Sequence, residues 1–204
     1  MDASANKINI IGMGYTEMYE WQNKPEQDNR FGKFVTFSKE DPEKIVLYGN
    51  SENDYILGVS TITSVCNSDD PEEWQGKWII NEVGDLIVSK ERLAVGTKRY
   101  DENTEISFIQ TYPWEHYIKQ RNEDFDEEAN YIPRSNRIEW IRVNLLGKVI
   151  VYDNGKCEAG KLCKPYTGKQ KAKHGIAIPA KDGDKNTFYV LERLTENTIL
   201  IINK

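Results

Sequence analysis

Two glutamates, Glu17 and Glu20, stand three residues apart in the stretch Gly14-Tyr15-Thr16-Glu17-Met18-Tyr19-Glu20-Trp21, among four bulky side chains. A carboxylate held against aromatic rings loses hydration, which raises its pKa, and such a group can serve as a general acid or base. The competing reading is an amphipathic element that places its aromatics in the core. Other candidates fail on their chemistry. Gly155-Lys-Cys-Glu-Ala-Gly160-Lys161 carries the glycines and lysine of a phosphate loop. Yet Leu162 replaces the hydroxyl that would hold magnesium, and Pro165 follows where a helix should open, so a hairpin turn is the better reading. Asp182-Gly-Asp184-Lys-Asn186 begins like a calcium loop, but Thr187 and Arg193 occupy the required Gly and Glu positions, and it too reads as a turn.

Lys161, Lys164, Lys169, Lys171 and Lys173, interleaved with Tyr166 and His174, form a basic cluster that could meet phosphate as point charges. A solvated loop, or a patch facing an acidic neighbour, is the plainer reading. Cys66, Cys157 and Cys163 are odd in number and lack a CxxC spacing. With no signal peptide at the start, they read as free thiols in a reducing compartment, and no metal site is expected. His116 and His174 lie far apart, with no HExxH and no nucleophile context.

The elements that must position these residues read as strands. Short β-branched and aromatic runs recur at 33–37, 44–48, 55–60, 77–80, 86–88, 106–109, 139–146, 148–152, 188–191 and 199–202. In Glu139-Trp140-Ile141-Arg142-Val143-Asn144-Leu145 the alternation has period two, with Ile141, Val143 and Leu145 on one face. Asn154-Gly155 and Asp182-Gly183 supply hairpin turn chemistry. The expectation is a mainly β fold (a β-rich α+β class), one compact domain of meandering antiparallel strands or a barrel. A short helical segment near 114–125 is also expected, with Trp114, Tyr117, Ile118 and Phe125 along one side after Pro113. The acidic run at 123–128 reads as a solvated loop.

Composition bounds the function. In 204 residues, 33 acids outweigh 27 Lys and Arg for a net charge of −6, which argues against non-specific nucleic-acid binding. No apolar run is long enough to span a bilayer as a helix, so no membrane partner is expected. Eleven Tyr, six Phe and five Trp supply core material, which argues against disorder.

Several phrases occurring in order then resemble a known family. The stretch 14–21 resembles the opening motif of the intramolecular-chaperone autoproteolytic cleavage domain at the C-terminus of phage tail spikes and pre-neck appendages, classed among the glutamic peptidases. In order follow Arg30-Phe31-Gly32-Lys33-Phe34-Val35, Asp54-Tyr55-Ile56-Leu57-Gly58-Val59-Ser60, Trp74-Gln75-Gly76-Lys77 and Tyr131-Ile132-Pro133-Arg134-Ser135-Asn136-Arg137-Ile138-Glu139-Trp140. Val143-Asn144-Leu145-Leu146-Gly147-Lys148-Val149, Asp153-Asn154-Gly155-Lys156-Cys157, Cys163-Lys164-Pro165 and Val190-Leu191-Glu192-Arg193 complete the set.

The resemblance implies a homotrimerising chaperone domain, here 14–204, that templates a fibrous spike and then cuts itself off. Residues 1–13 become a leader or remnant, and the cut bond is Met13–Gly14. The matching carboxylate is Glu17; Glu20 and Asp54 are further acids by motif alone. The family commonly has Asp where this chain has Gly14. Related domains engage ATP, but no residue here places a nucleotide, and no cofactor is assigned. Expected partners are further copies of the chain and other virion proteins, in the virion and in the host cytoplasm during assembly. A second reading is a minor capsid or appendage protein on the same fold without peptidase activity. A third is a nucleotide-binding regulator using the lysines at 161–173.

Overall fold

The computed structural model describes residues 14–23, 30–49, 55–69, 76–93, 96, 98–101, 106–109 and 114–204. The strands are β1 (Gly14–Trp21), β2 (Phe34–Phe37), β3 (Lys44–Leu47), β4 (Gly58–Thr61), β5 (Cys66–Asn67), β6 (Val88–Leu93) and β7 (Lys98–Asp101). They continue as β8 (Ile106–Ile109), β9 (Trp114–Lys119), β10 (Trp140–Tyr152), β11 (Leu162–Pro165), β12 (Ala177–Pro179), β13 (Phe188–Thr195) and β14 (Thr198–Asn203). The mainly β expectation holds. Two compact units make up the chain, one from 1–71 with 132–204 and one from 72–131.

The first unit is built on a ten-stranded sheet in the order β12-β11-β13-β14-β10-β4-β2-β3-β1-β5, with β1 also pairing β10. That extra pairing closes β10, β4, β2, β3 and β1 into a five-stranded ring, which leaves no free edge among them. Most pairs are antiparallel, but β1 runs parallel to β3 at Glu20–Trp21 and to β5 at Tyr15–Thr16. Inside the ring Trp21, Val35, Ile45, Ile141 and Val143 form one buried cluster. The alternation of Ile141 and Val143 puts both on this inner face, as their spacing predicts. A second cluster, including Phe34, Val59, Val149, Val151, Cys157, Cys163 and Ile201, joins side chains of the ring strands β2, β4 and β10 to those of β11 and β14. Phe34 and Val35 serve the two clusters from adjacent positions because neighbouring strand residues face opposite ways.

β10 spans thirteen residues where two strands were expected, and it crosses Gly147 at a φ of 100°, a conformation that favours glycine. The turns follow their sequence signals: Gly155 and Gly183 adopt φ values of 77° and 85°. The phosphate-loop-like stretch is a turn closed by Lys161 N–H to the Glu158 carbonyl at 3.2 Å, with no helix after it.

The second unit holds two nested antiparallel ladders, β6 with β9 and β7 with β8. The helix expected near 114–125 is absent: Trp114–Lys119 is β9, registered from Trp114 opposite Leu93 to Lys119 opposite Val88. Its Trp, Tyr and Ile suit a pleated ladder, and pairing with β6 overrides a weak 3.6-residue spacing. The acidic run beyond it is mostly exposed, with Glu127 paired to Arg121 at 2.9 Å.

Candidate active site

Strand alternation sorts β1. Tyr15, Glu17, Tyr19 and Trp21 share one face, and Thr16, Met18 and Glu20 the other. Across the antiparallel pair Glu17 lies opposite Val143 and Tyr19 opposite Ile141, so the first set faces the barrel side. Trp21 is buried in the core, Tyr19 packs against it, and Glu17 and Tyr15 follow toward the start of the strand, half-buried.

The Glu17 carboxylate is gripped by its two strand neighbours. Tyr15 Oη donates to Oε1 at 2.5 Å and Tyr19 Oη donates to Oε2 at 3.0 Å. Ser68 Oγ lies 3.0 Å from Tyr15 Oη, extending the chain of hydroxyls. Burial first, then the bond to Glu17, holds the Tyr19 hydroxyl far above the usual phenolic range. For Tyr15 the bond to Glu17 is the leading cause of a raised value. Both phenols therefore keep their protons at neutral pH and present them to one carboxylate. Tyr19 is itself set by an edge contact with Phe37, ring centres 5.9 Å apart.

Asp69 completes the surroundings. Its Oδ1 accepts the Met18 N–H at 2.5 Å, and Arg134 Nη1 donates to its Oδ2 at 3.0 Å and to its backbone carbonyl at 3.0 Å. The Arg134 guanidinium lies over the Trp140 ring at 4.1 Å. A 3-10 turn at Arg134–Asn136 carries that arginine, which through Asp69 braces the strand bearing Glu17.

Gly14 has a different environment. It pairs with Gly147, and its carbonyl accepts the Val65 N–H at 3.2 Å and the Ser64 hydroxyl at 3.3 Å. A Cβ placed there would collide with the side-chain amide nitrogen of Asn144 and lie 2.5 Å from the Leu146 carbonyl. Asn144 is buried and tied in place: its Nδ2 donates to that carbonyl at 3.2 Å, and Asn203 Nδ2 donates to its backbone oxygen at 2.9 Å.

Of the residues singled out in the sequence, the structure joins Gly14 and Glu17 on one strand. It separates Glu20, which lies on the opposite face and pairs with Lys44 at 3.2 Å, so the two glutamates do not converge. Met13 and Asp54 lie outside the described residues. Sequence reading missed the two tyrosines as donors, although a period-two reading of 15, 17 and 19 would have aligned them. Asp69 gave no signal, because its contact with β1 crosses 51 positions.

A model of the family described as Peptidase_G2, IMC autoproteolytic cleavage domain, matches residues 4–198. The pre-neck appendage protein of Bacillus phage phi29 is 32% identical over 174 residues, covering 82% of this chain and 16% of the relative. The preneck appendage protein of Bacillus phage PZA is 32% identical over 126 residues, covering 59% of this chain and 12% of that one. The chain thus spans a small part of either relative. Among solved structures, the C-terminal fragment of phi29 gene product 12 superposes with a TM-score of 0.60 at 24% identity, covering 93% of this chain and 99% of the fragment. The pre-mature phi29 gene product 12 gives 0.61 at 24% identity, covering 94% and 21%. At that identity the structural likeness speaks for the fold.

Proposed function

The chain belongs to the Peptidase_G2 family of IMC autoproteolytic cleavage domains, and from that premise we propose that it is the assembly domain of a phage appendage, self-associating as a homotrimer and cutting its own chain before Gly14. The observation that carries the reading is Glu17 between two protonated phenols, at the start of the strand that opens at Gly14. Glu17 takes a proton from water, the water oxygen attacks the carbonyl of residue 13, and collapse of the tetrahedral intermediate returns a proton to the Gly14 nitrogen. The products are a carboxylate ending at residue 13 and a free amine at Gly14. The tyrosines orient the carboxylate.

Glu17 is three residues along an extended strand from Gly14, roughly 10 Å of rise, more than a glutamate side chain spans. Attack on a bond supplied by a neighbouring copy in the trimer fits that separation better than attack within one chain. A trimer also fits the task. Three spike chains must be held in register before their non-local contacts form, and linking them to a globular trimer raises their effective concentration.

One observation favours the alternative of an appendage protein on the same fold without chemistry. The position where the family commonly has Asp is Gly14, and Asn144 fills the space a side chain would need. Intact mass of the full-length chain under denaturing conditions, with time and with added ATP, separates the two. Loss of residues 1–13 that is abolished in Glu17→Gln is the expected result. A mass fixed at 204 residues in every condition would leave the assembly role alone.

A further inference from the structure

Cys157 and Cys163 are free, fully buried, and members of the same core cluster. Both side chains pack within that one cluster, and the neighbouring Cys163 is the leading cause that raises the Cys157 thiol above its usual value. The backbone of Cys157 is fixed from both sides: its N–H donates to Asp153 Oδ2 at 3.0 Å, and its carbonyl accepts from Arg193 Nε at 3.1 Å and from Arg193 Nη2. Asp153 and Arg193 are themselves paired at 2.7 Å. Cys163 is fixed by its place in β11, opposite Phe188 and Pro179. Between the two thiols the chain reverses through the turn at Glu158–Lys161. Two thiols six residues apart in sequence thus share one buried cluster, each on a backbone that hydrogen bonds hold, and a reversing chain of that length can close a disulfide.

We infer that Cys157 and Cys163 form an oxidisable pair that closes into an internal disulfide, stapling the loop after β10 to β11. The co-reactant is a low-molecular-weight disulfide such as oxidised glutathione. One protein thiolate attacks it, forming a mixed disulfide and releasing one glutathione thiolate. The second protein thiolate attacks the mixed disulfide and releases the other. Two protein thiols lose two protons and two electrons, and one glutathione disulfide becomes two thiols. The hydrogen bond to Cys163 and burial hold the Cys157 thiol protonated in the native state, so exchange proceeds from the open or folding chain and the folded protein keeps whichever form it closed with. The inference is independent of self-cleavage. It also adds to the expectation of free thiols in a reducing compartment: the pair is reduced there and bridges in an oxidising one.

The test refolds the full chain, as wild type and as Cys66→Ala to remove the exposed thiol, in glutathione buffers from fully reduced to fully oxidised. Iodoacetamide alkylation, intact mass and peptide mapping follow. The expected product in oxidising buffer is two hydrogens lighter than the reduced chain, carries a Cys157–Cys163 peptide pair, keeps the native circular dichroism and melts several degrees higher. Cys157→Ala and Cys163→Ala each abolish the shift in melting temperature between buffers. Two alkylatable core thiols at every glutathione ratio would overturn the inference. So would glutathione adducts alone, or a bridge that forms only with loss of the native spectrum.

Discussion

The carboxylate of Asp69 takes the backbone N–H of Met18 at 2.5 Å, at a point on β1 between its short parallel contacts with β5 and β3. A side chain thus supplies the hydrogen bond that no strand reaches. Because Arg134 holds the same carboxylate, the register of Glu17 depends on a residue distant in sequence. Asp69→Ala is expected to cost about 1 kcal/mol, allowing for its partial exposure, and to speed exchange of the Met18 amide relative to other β1 amides. Unchanged protection at Met18 in hydrogen-exchange mass spectrometry would remove Asp69 from this role.

Gly14 has no room for a side chain. Gly14→Ala is expected to destabilise the fold by about 1–3 kcal/mol, through overpacking against Asn144 and the Leu146 carbonyl. Denaturant midpoints of Gly14→Ala, Gly14→Asp and each combined with Asn144→Ala test this. Removing the Asn144 side chain should recover part of the loss and not all of it, because the Leu146 oxygen belongs to the backbone.

The two tyrosines differ in what holds their protons, and one substitution separates them. In Glu17→Gln the Tyr15 hydroxyl should fall toward the ordinary value near 10, since its bond to Glu17 is the leading cause of its elevation. Tyr19 should stay elevated, because burial is its leading cause. With eleven tyrosines present, the readout is a difference ultraviolet titration between Glu17→Gln and wild type, repeated in a Tyr15→Phe background. A single phenol lost from the high range, absent in that background, is the predicted result.

Acid stability should follow Asp153. Burial acts to raise its pKa, but the hydrogen bonds from Arg193 and from the N–H of Cys157 outweigh it and leave the carboxyl below its usual value. A depressed native pKa means the stabilisation is complete above the unfolded value near 4 and is lost as pH falls through the native value. Asp153→Asn should therefore be less stable by about 1–2 kcal/mol at neutral pH, allowing for the solvent exposure of Arg193, and show a flatter melting curve against pH below about 4. If wild type and variant lose melting temperature in parallel on acidification, another carboxylate controls the acid limb.

The strands and hairpins of the first unit were legible because Ile141, Val143 and the Asn-Gly and Asp-Gly turns report local geometry through period and residue type. The segment 114–119 was misread because six residues with two apolar spacings fit a helix and a strand alike, and only the partner β6 decides between them. The same limit hid much of the candidate site. Tyr15, Glu17 and Tyr19 lie within five positions, whereas Asp69 and Arg134 join them through pairing that no local pattern encodes. Glu20 shows the converse. Proximity in sequence suggested a pair, and strand alternation turned the two acids apart.

Gly147 pairs with both Gly14 of β1 and Asn203 of β14, so among the described residues the start of the first strand and the end of the last lie within roughly 10 Å of each other. A few flexible residues passing over β10 at Gly147 would join Asn203 to Gly14. Circular permutation is therefore open to this domain: the chain could begin and end in the turn at Gly183 and keep every ladder of the ring. Such a permutant would carry the Gly14 junction as an internal loop, with the bond before Gly14 now flanked by folded strand on either side.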